Sequence, residues 1–170
     1  ASKRNLLVIS GLPTRRFRFE AFLPAEKKER AEILSEIRND TATIVIYEAP
    51  HHLLKTLGDL FEALGDRKIS LCRELTKTHE NVYRTTLAGA IEHYTLEAPR
   101  GEFVLVIEGK SRQELKKESI AAFEEMSIEE HMEMYESQGL DRKEAMKRVA
   151  KDRGLSRRDI YRELLPENKE

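Results

Sequence analysis

The sequence predicts an α/β layer domain followed by an all-α tail. Four short apolar runs rich in β-branched residues lie within the first part of the chain, and segments with helical periodicity separate them. After Gly109 no run of that kind recurs, while acidic and basic residues separate into blocks. We therefore divide the chain into an α/β domain at 1–110 and a helical tail at 111–170.

Four strands are predicted from apolar runs that are four or five residues long and almost unbroken. Such runs are typical of strands that are buried on both faces. The segment 82–87 is a further candidate strand, which leads into a short helix at 88–94. The four runs are 6–9, 43–47, 69–72 and 103–107.

Two helices are predicted between these strands. The first follows Pro24, and its apolar stripe ends at Ile37. The second follows Pro50, where apolar residues over 53–64 recur at helical spacing, and Gly65 is suited to end it. This alternation of strands with helices indicates the α/β class.

Composition excludes several classes of protein. The net charge of −1 provides no global attraction to a nucleic acid, so charge has to be considered segment by segment. The one cysteine, Cys72, excludes an internal disulfide and is compatible with a reducing cytosol. No run approaches the roughly 20 apolar residues of a membrane span, and no signal-like segment opens the chain. We expect a cytoplasmic protein without a membrane partner.

The tail carries opposite charges in its two halves. Residues 114–136 hold eight acidic residues against two lysines, and residues 141–165 hold nine basic residues against five acidic ones. The second half divides around Gly154 into two short helices, and Ser156 with Asp159 forms a capping box that starts the second helix. Two helices joined by a three-residue turn have the outline of a helix-turn-helix unit, at about 141–165.

Three arginines, Arg157, Arg158 and Arg162, are expected along the exposed side of the second helix. Their guanidinium groups are suited to contacts with RNA phosphates. A helical hairpin that packs against the body or against a dimer partner, with a solvated basic face, accounts for the same pattern. The residues alone do not distinguish these two interpretations.

Polar residues follow two of the predicted strands at the point where each strand ends. YEAPHH occupies 47–52, and RELTKTHE occupies 73–80. If the strands share a sheet, the two stretches leave it at matching ends and could line one cleft, which is where open α/β folds place ligands. A solvated loop is the alternative for 73–80. The candidate walls of the cleft are Tyr47, Glu48, His51, Arg73, Glu74 and Lys77.

Several kinds of site are excluded because their motifs do not occur. His51 and His52 are adjacent, so they point apart on a regular element, and no pair of ligands has the H-E-x-x-H spacing. We therefore predict no metal site. The sequence has no G-x-S-x-G elbow, no Walker P-loop and no G-x-G-x-x-G. Nucleotide binding through a glycine-rich turn of this chain is not expected.

Six motifs occur in the order and spacing of one family. They are SGLPT at 10–14, FEAFLP at 19–24, YEAPHHLLKTL at 47–57, RELTKTHE at 73–80, RTTLAGAIEHY at 84–94 and RGEFVLVIEG at 100–109. Through these motifs the sequence closely resembles the C-terminal part of the 2'-O-ribose methyltransferases of small-subunit ribosomal RNA. Those enzymes belong to the tetrapyrrole methylase, or class III methyltransferase, superfamily.

The resemblance implies a mixed sheet flanked by helices, S-adenosylmethionine as cofactor, and ribosomal RNA of the small subunit as partner. In the superfamily the cofactor lies in a cleft between two α/β domains, so this chain would supply one wall. Members also carry an N-terminal domain with a glycine-rich cofactor loop, to which nothing in this sequence corresponds. The chain is therefore expected to need that domain as a partner and to be inactive alone. Since members are commonly dimers, a homodimer is a further expectation.

The resemblance also implies roles for individual residues. Glu74 or Lys77 would orient or deprotonate the ribose 2'-OH, although an ordinary surface ion pair between them remains open and neither is assigned as the base. Arg73 and Arg100 would hold RNA phosphate. The tail matches the helix-turn-helix of the family, which favours RNA binding by its arginines. The cofactor wall would consist of Tyr47, Glu48, Pro50 and His51.

Two other functions remain open. A sister methylase that acts on a tetrapyrrole would share this domain, although the basic tail argues against it. A stand-alone RNA-binding module without catalysis is the second alternative.

Overall fold

The computed structural model describes residues 3–73 and 81–165, with the backbone alone for residues 3–6. The chain divides into two compact units, with the boundary between Lys110 and Ser111. None of the helices in the described ranges is long and apolar enough to cross a membrane.

The first unit is built on a five-stranded mixed sheet. Its strands are β1 (Phe17–Phe22), β2 (Thr43–Glu48), β3 (Lys68–Arg73), β4 (Asn81–Thr86) and β5 (Phe103–Ile107). They lie side by side in the order β1, β2, β5, β3, β4. β1 and β2 are parallel, and every other neighbouring pair is antiparallel. β2 and β3 consequently run in the same direction, with β5 between them. The predicted mixed α/β architecture is confirmed.

One face of the sheet packs against three helices. They are α2 (Lys27–Ile37), α3 (Leu53–Leu64) and α4 (Leu87–Leu96). Alternate residues of the central strands, such as Ile46 and Leu105, are fully buried against leucines of α3, such as Leu57. Among the described residues, the buried hydrophobic cluster on this face has 16 members and the cluster on the other face has four, so this layer supplies most of the unit's core. Burying one such side chain contributes roughly 1.5–3 kcal/mol. As predicted, α3 ends at Gly65, whose φ of 76° suits a glycine.

The predicted strand at 6–9 is wrong, because these residues lie in helix α1 (Lys3–Ser10). Leu7 is 4% exposed whereas Val8 is 72% exposed, and Ser10 is buried again, which is the three-residue recurrence of a helix face. A short apolar run does not distinguish a strand from a helix that is buried on one side.

Tertiary hydrogen bonds stabilise the end of α1 on the second face of the sheet. The carbonyl oxygen of Ser10 accepts from Ser70 Oγ at 2.8 Å and from Arg84 Nε at 3.3 Å, and Arg84 Nη2 donates to the carbonyl oxygen of Ile9. A cationic donor at the C-terminal end of a helix also complements the helix dipole. These partners lie 60 and 74 residues from Ser10 in sequence and could not be anticipated from the apolar run.

Strand β1 was not predicted. Its sequence FRFEAF alternates apolar and polar residues over its first half, which is the signal of a half-buried strand, whereas the predicted strands came from unbroken apolar runs. β1 forms one edge of the sheet and β4 forms the other.

The second unit is helical over its described residues. Its helices are α5 (Arg112–Ala121), α6 (Ile128–Ser137), α7 (Arg142–Arg153) and α8 (Arg157–Glu163). A small core joins α6, α7 and α8 through Met132, Val149 and Ile160. Capping boxes begin α5, α6 and α8, and the last of them is the expected pair of Ser156 and Asp159.

The turn between α7 and α8 depends on Gly154. This residue has a φ of 64°, and a Cβ added to it would lie 3.0 Å from Cδ1 of Ile120 on α5. A side chain here would therefore meet both backbone strain and crowding.

We expect Gly154→Ala to lower the free energy of unfolding by about 1–2 kcal/mol, since the left-handed conformation costs that much for a residue with a Cβ. Urea unfolding followed by circular dichroism measures the change. Gly58→Ala is the matched control, because Gly58 lies inside α3 and a Cβ added to it would meet no atom within 4 Å, so the substitution should be neutral or stabilising. Equal effects of the two substitutions would contradict the conclusion that the turn depends on a glycine at position 154.

Candidate functional site

The C-terminal ends of the central strands β2 and β3 lie at the same end of the sheet. Glu48 at the end of β2 and Arg73 at the end of β3 both pair with Phe103, the first residue of β5. The two strand ends are therefore separated by two strand spacings, or about 10 Å. We call this end of the sheet, defined by Glu48, Arg73 and Phe103, the carboxyl rim.

The two predicted catalytic residues follow the end of β3 in the sequence. Glu74 and Lys77 lie outside the described residues. Their roles remain predictions that rest on the sequence.

Two predicted RNA-binding residues are close together at the carboxyl rim. Arg73 Nη1 donates to the carbonyl oxygen of Arg100 at 3.4 Å, and the Arg73 guanidinium lies 5.9 Å from the ring centroid of Phe103. The Arg100 side chain is exposed. Tyr94 contacts Phe103 edge to face at 5.4 Å, and burial raises the pKa of Tyr94 while Arg73 opposes that shift.

Glu48, predicted to form part of a cofactor wall, is instead buried on the helical face of the sheet. Its Oε2 accepts from Thr56 Oγ1 at 2.5 Å, and its Oε1 accepts from the Ala49 backbone N–H at 2.8 Å. Thr56 in turn accepts from Arg30 Nη2 at 2.8 Å, and Arg30 Nε donates to Asp59 at 2.7 Å. Because both carboxylate oxygens have protein donors, this placement favours a structural role for Glu48, which joins β2 to α3 and α2.

The other three predicted cofactor residues occupy different positions. Tyr47 is half-buried on the opposite face of the sheet from Glu48. Pro50 begins the short 3-10 turn Pro50–His52, and His51 is exposed with its ring centroid 4.1 Å from that of His52. The structure therefore brings Tyr47, Pro50 and His51 to the region of the carboxyl rim, but it does not place all four side chains on one surface.

A β-bulge in β1 creates an aromatic surface next to Tyr47. Ala21, within the bulge, has a φ of 53°, and among the described residues no other non-glycine residue has a positive φ. The extra residue restores Phe22 to the face that already carries Phe19. The register pairs are Phe17 with Thr43, Arg18 with Ile44, Phe19 with Val45, Ala21 with Ile46 and Phe22 with Tyr47.

We call Phe17, Phe19, Phe22 and Tyr47 the aromatic edge patch. Tyr47 contacts Phe19 edge to face at 5.0 Å and Phe22 at 5.8 Å. Phe17 is 45% exposed and Phe22 is 57% exposed. Exposed apolar patches of this kind mark interaction surfaces. The alternation in β1 could have indicated the strand, but only the bulge places Phe22 on the face that carries Phe19 and Tyr47.

The second unit contains a buried polar cluster that the sequence did not indicate. His131 is fully buried, with its ring stacked 4.0 Å from Phe123 and 5.4 Å from Tyr135. Its Nδ1 accepts from Arg153 Nε at 3.1 Å, and its Nε2 lies 3.4 Å from Oδ2 of Asp152, which accepts a hydrogen bond from the Tyr135 hydroxyl. Burial lowers the pKa of His131, Arg153 lowers it further, and Asp152 opposes the shift.

The three arginines of the tail are exposed on α8. None of Arg157, Arg158 and Arg162 forms an ion pair within residues 3–73 and 81–165. Over the same ranges no group of three or more His, Cys, Asp or Glu side chains could hold a metal ion.

Comparison with known proteins identifies the family. Residues 6–91 match the sequence model of the tetrapyrrole (corrin/porphyrin) methylases. The chain belongs to this family. The family resemblance seen in the six motifs is thereby confirmed.

Individual relatives carry a more specific name. The chain is 46% identical, over 91% of its length, to a ribosomal RNA small subunit methyltransferase I from Halalkalibacterium halodurans, and 40% identical over 91% to one from Bacillus subtilis. It covers 53% of each of these proteins, so the chain spans about half the length of the curated relatives it matches. Among solved structures, a cobalt precorrin-4 methyltransferase has a TM-score of 0.44 and 14% identity, covering 59% of this chain and 46% of its own.

The buried network at Glu48 leads to a stability prediction. Thr56→Val keeps the shape of the side chain but removes a donor to Glu48 and an acceptor for Arg30, so we expect a loss of about 1–3 kcal/mol in the free energy of unfolding. Thr95→Val is the matched control, because Thr95 is exposed and its hydroxyl donates only to Ile91 within α4. Urea unfolding should show a change below about 0.5 kcal/mol for the control. A similarly small change for Thr56→Val would disprove the structural role.

The buried imidazole of His131 predicts a pH dependence of stability. Its pKa is lowered in the folded state relative to about 6.5 in the unfolded chain, so the folded state binds fewer protons. Stability from this group is fully present above that unfolded value and is lost as pH falls through the lowered pKa.

We expect His131→Gln to reduce the fall in unfolding free energy between about pH 7.5 and about pH 5.5, measured by urea titration. Met132→Leu serves as the control, because Met132 is 4% exposed in the same unit and its replacement changes no titratable group. An unaltered pH profile in His131→Gln would refute the prediction.

Proposed function

We propose that this chain is the C-terminal part of an S-adenosylmethionine-dependent methyltransferase that acts on the 2'-OH of a ribose in small-subunit ribosomal RNA. Membership of the methylase family and the names of the relatives support the chemistry and the substrate class. The observation that carries the proposal is the shared pairing of Glu48 and Arg73 with Phe103, because it brings the C-terminal ends of β2 and β3 to the same end of the sheet.

In this proposal residues 1–110 supply one side of the cofactor cleft, and the N-terminal domain expected in the whole enzyme supplies the other. The aromatic edge patch supports this arrangement, since exposed Phe22 beside Tyr47 offers an apolar surface at the same end of the sheet. Bound S-adenosylmethionine supplies an electrophilic methyl group on a cationic sulfonium. Aromatic rings attract such cations, so Tyr47, with Pro50 and His51 nearby, fits the cofactor wall better than Glu48 does.

Arg73 at the carboxyl rim, Arg100, and residues that follow Arg73 in the sequence would act on the RNA. Methyl transfer to a hydroxyl needs alignment of the nucleophile and removal of its proton. We assign these roles to Glu74 or Lys77, which follow Arg73 in the chain. The guanidinium groups of Arg73 and Arg100 would hold RNA phosphate, and the proximity of Arg73 to the backbone of Arg100 supports their acting together.

The tail at 111–170 would provide additional RNA contacts through the helix-turn-helix-like unit at 141–165. The exposure of Arg157, Arg158 and Arg162 on α8 supports this role. We further propose a cytoplasmic location, which is where ribosomal RNA is modified in bacteria such as those of the relatives, and a homodimer as the assembly. Without the N-terminal domain the isolated chain would be inactive.

A tetrapyrrole methylase is the second candidate, favoured by the description of the family that matches residues 6–91. The basic surface of α8 favours RNA over a small ring compound. A non-catalytic RNA-binding role is the third candidate. Methyl incorporation into small ribosomal subunits, compared with incorporation into a uroporphyrin-type acceptor, separates all three.

In the full-length enzyme we expect Glu74→Ala or Lys77→Ala to lower methyl transfer by about 100-fold or more, since general acid–base groups contribute that much. Mass spectrometry of nuclease-digested ribosomal RNA would measure the 2'-O-methyl product. Lys68→Ala is the matched control, because Lys68 is an exposed lysine at the opposite end of β3. Near-normal rates in both Glu74→Ala and Lys77→Ala would remove the catalytic roles of these residues, and methylation of the tetrapyrrole alone would overturn the RNA assignment.

A further inference from the structure

The side chains of α8 fall into three sectors around the helix axis. At about 100° per residue, Arg157, Tyr161, Arg158 and Arg162 fall within an arc of about 140°. Asp159 and Glu163 occupy the next sector, and Ile160 points into the core of the unit with no exposed surface. The acidic and basic residues of this short helix are thus segregated, and one tyrosine lies among the three arginines.

Within the described part of the chain, the arginines of this arc form no ion pair with either acidic residue of their own helix, Asp159 or Glu163. Asp159 Oδ2 accepts from the Ser156 backbone N–H at 3.2 Å and from Ser156 Oγ at 2.5 Å, so its carboxylate is engaged in capping α8. These hydrogen bonds lower the pKa of Asp159, and the positive charges of Arg162 and Arg158 lower it further. The guanidinium groups remain available to an external anion over the described part of the chain.

Tyr161 is unusual among the aromatic residues of this unit. It is 57% exposed, whereas Tyr135 and Phe123 stack with His131. In the described ranges the Tyr161 side chain makes no hydrogen bond and no ring contact. Its ring is therefore free to receive a planar group.

The helix that carries this arc is held firmly. Its start is defined by the capping box, its inner face by buried Ile160, and the preceding turn by Gly154, which packs against Ile120. The backbone positions that carry Tyr161 and its flanking arginines are thus set before any ligand binds, which lowers the entropic cost of binding.

A single-stranded nucleic acid matches this combination of groups. Its phosphates are anions for the arginines, and its unpaired bases expose flat faces that stack on aromatic side chains. In a duplex the base faces are covered by their neighbours, so the Tyr161 ring would find no face to stack on. An acidic protein surface would satisfy the arginines but would give the ring no comparable partner.

We propose that Tyr161 stacks on an unpaired base of an RNA strand whose phosphates are bound by Arg157, Arg158 and Arg162, and that α8 thereby selects single-stranded or looped RNA over duplex RNA. This inference rests on the proposed RNA-binding role of the tail and adds the structural class of RNA that the tail accepts.

The absence of tryptophan from the sequence allows a direct test. Tyr161→Trp introduces one fluorophore at the proposed stacking position. We expect its emission to be quenched on titration of the whole chain with a single-stranded oligoribonucleotide, and much less with the same sequence in a duplex. Phe61→Trp is the matched control, because Phe61 is 41% exposed on α3 of the other unit. Quenching should not occur there.

Binding constants of three further variants complete the test. Tyr161→Ala should weaken single-strand binding by about 5- to 150-fold, the range for loss of one stacked base, while Tyr161→Phe retains it. Duplex binding should be unaffected by Tyr161→Ala. Arg162→Ala should weaken binding of both single-stranded and duplex RNA. It should also reduce the slope of the logarithm of the binding constant against the logarithm of the salt concentration by about one, which corresponds to one phosphate contact.

These measurements distinguish failure of the proposed RNA-binding role of the tail from failure of the stacking proposal alone. If the unmodified chain binds no RNA, the proposed RNA role of the tail fails. If it binds RNA but Tyr161→Ala binds as tightly, or if duplex RNA binds better than single strands, the stacking proposal alone is overturned. Binding to polyglutamate as tight as to RNA, unchanged by Tyr161→Ala, would also overturn it in favour of an acidic protein partner.

Discussion

The pairing of β5 with β2 on one side and with β3 on the other is the constraint on which the arrangement of the first unit depends. Because Phe103 pairs with both Glu48 and Arg73, the ends of two parallel strands are held at one end of the sheet at a defined separation. The fully buried apolar residues of these strands hold that register, since a slip by one residue would turn every side chain to the other face. The carboxyl rim is thus a consequence of core packing and does not require a loop of special conformation.

Buried polar groups give each unit further definition. In the first unit, Glu48, Thr56, Arg30 and Asp59 form a continuous chain of hydrogen bonds that joins the end of β2 to α3 and α2. In the second, His131 is enclosed by aromatic rings and hydrogen-bonded by Arg153. Loss of one partner leaves a buried polar group without a hydrogen bond, which lowers the free energy of unfolding. These networks therefore favour one arrangement of the packed side chains over others. Because both carboxylate oxygens of Glu48 already accept hydrogen bonds within the protein, Glu48 is a poor candidate for contact with a ligand.

Surface and interior serve different purposes in this chain. The aromatic edge patch and the arc on α8 are both exposed, and both combine rings with positions that the backbone holds firmly, through the Ala21 bulge in one case and the Ser156 capping box in the other. In the proposed function, the aromatic edge patch would contact the cofactor or an apolar partner, and the arc on α8 would contact an RNA strand with accessible bases. A methylase domain with a separate RNA-binding tail would need both kinds of surface.

The sequence by itself determined the elements whose signals are local. Unbroken apolar runs indicated β2, β3 and β5, leucine spacing with Gly65 indicated α3 and its end, and Ser156 with Asp159 indicated the start of α8. The motifs indicated the family. Only the tertiary structure decided that 6–9 is helical, because Ser70 and Arg84 satisfy its terminal carbonyls from far along the chain. It also decided that Glu48 faces inward and that a bulge unites Phe19 and Phe22 with Tyr47. These features depend on register and on long-range partners, and neither is encoded in the periodicity of a single segment.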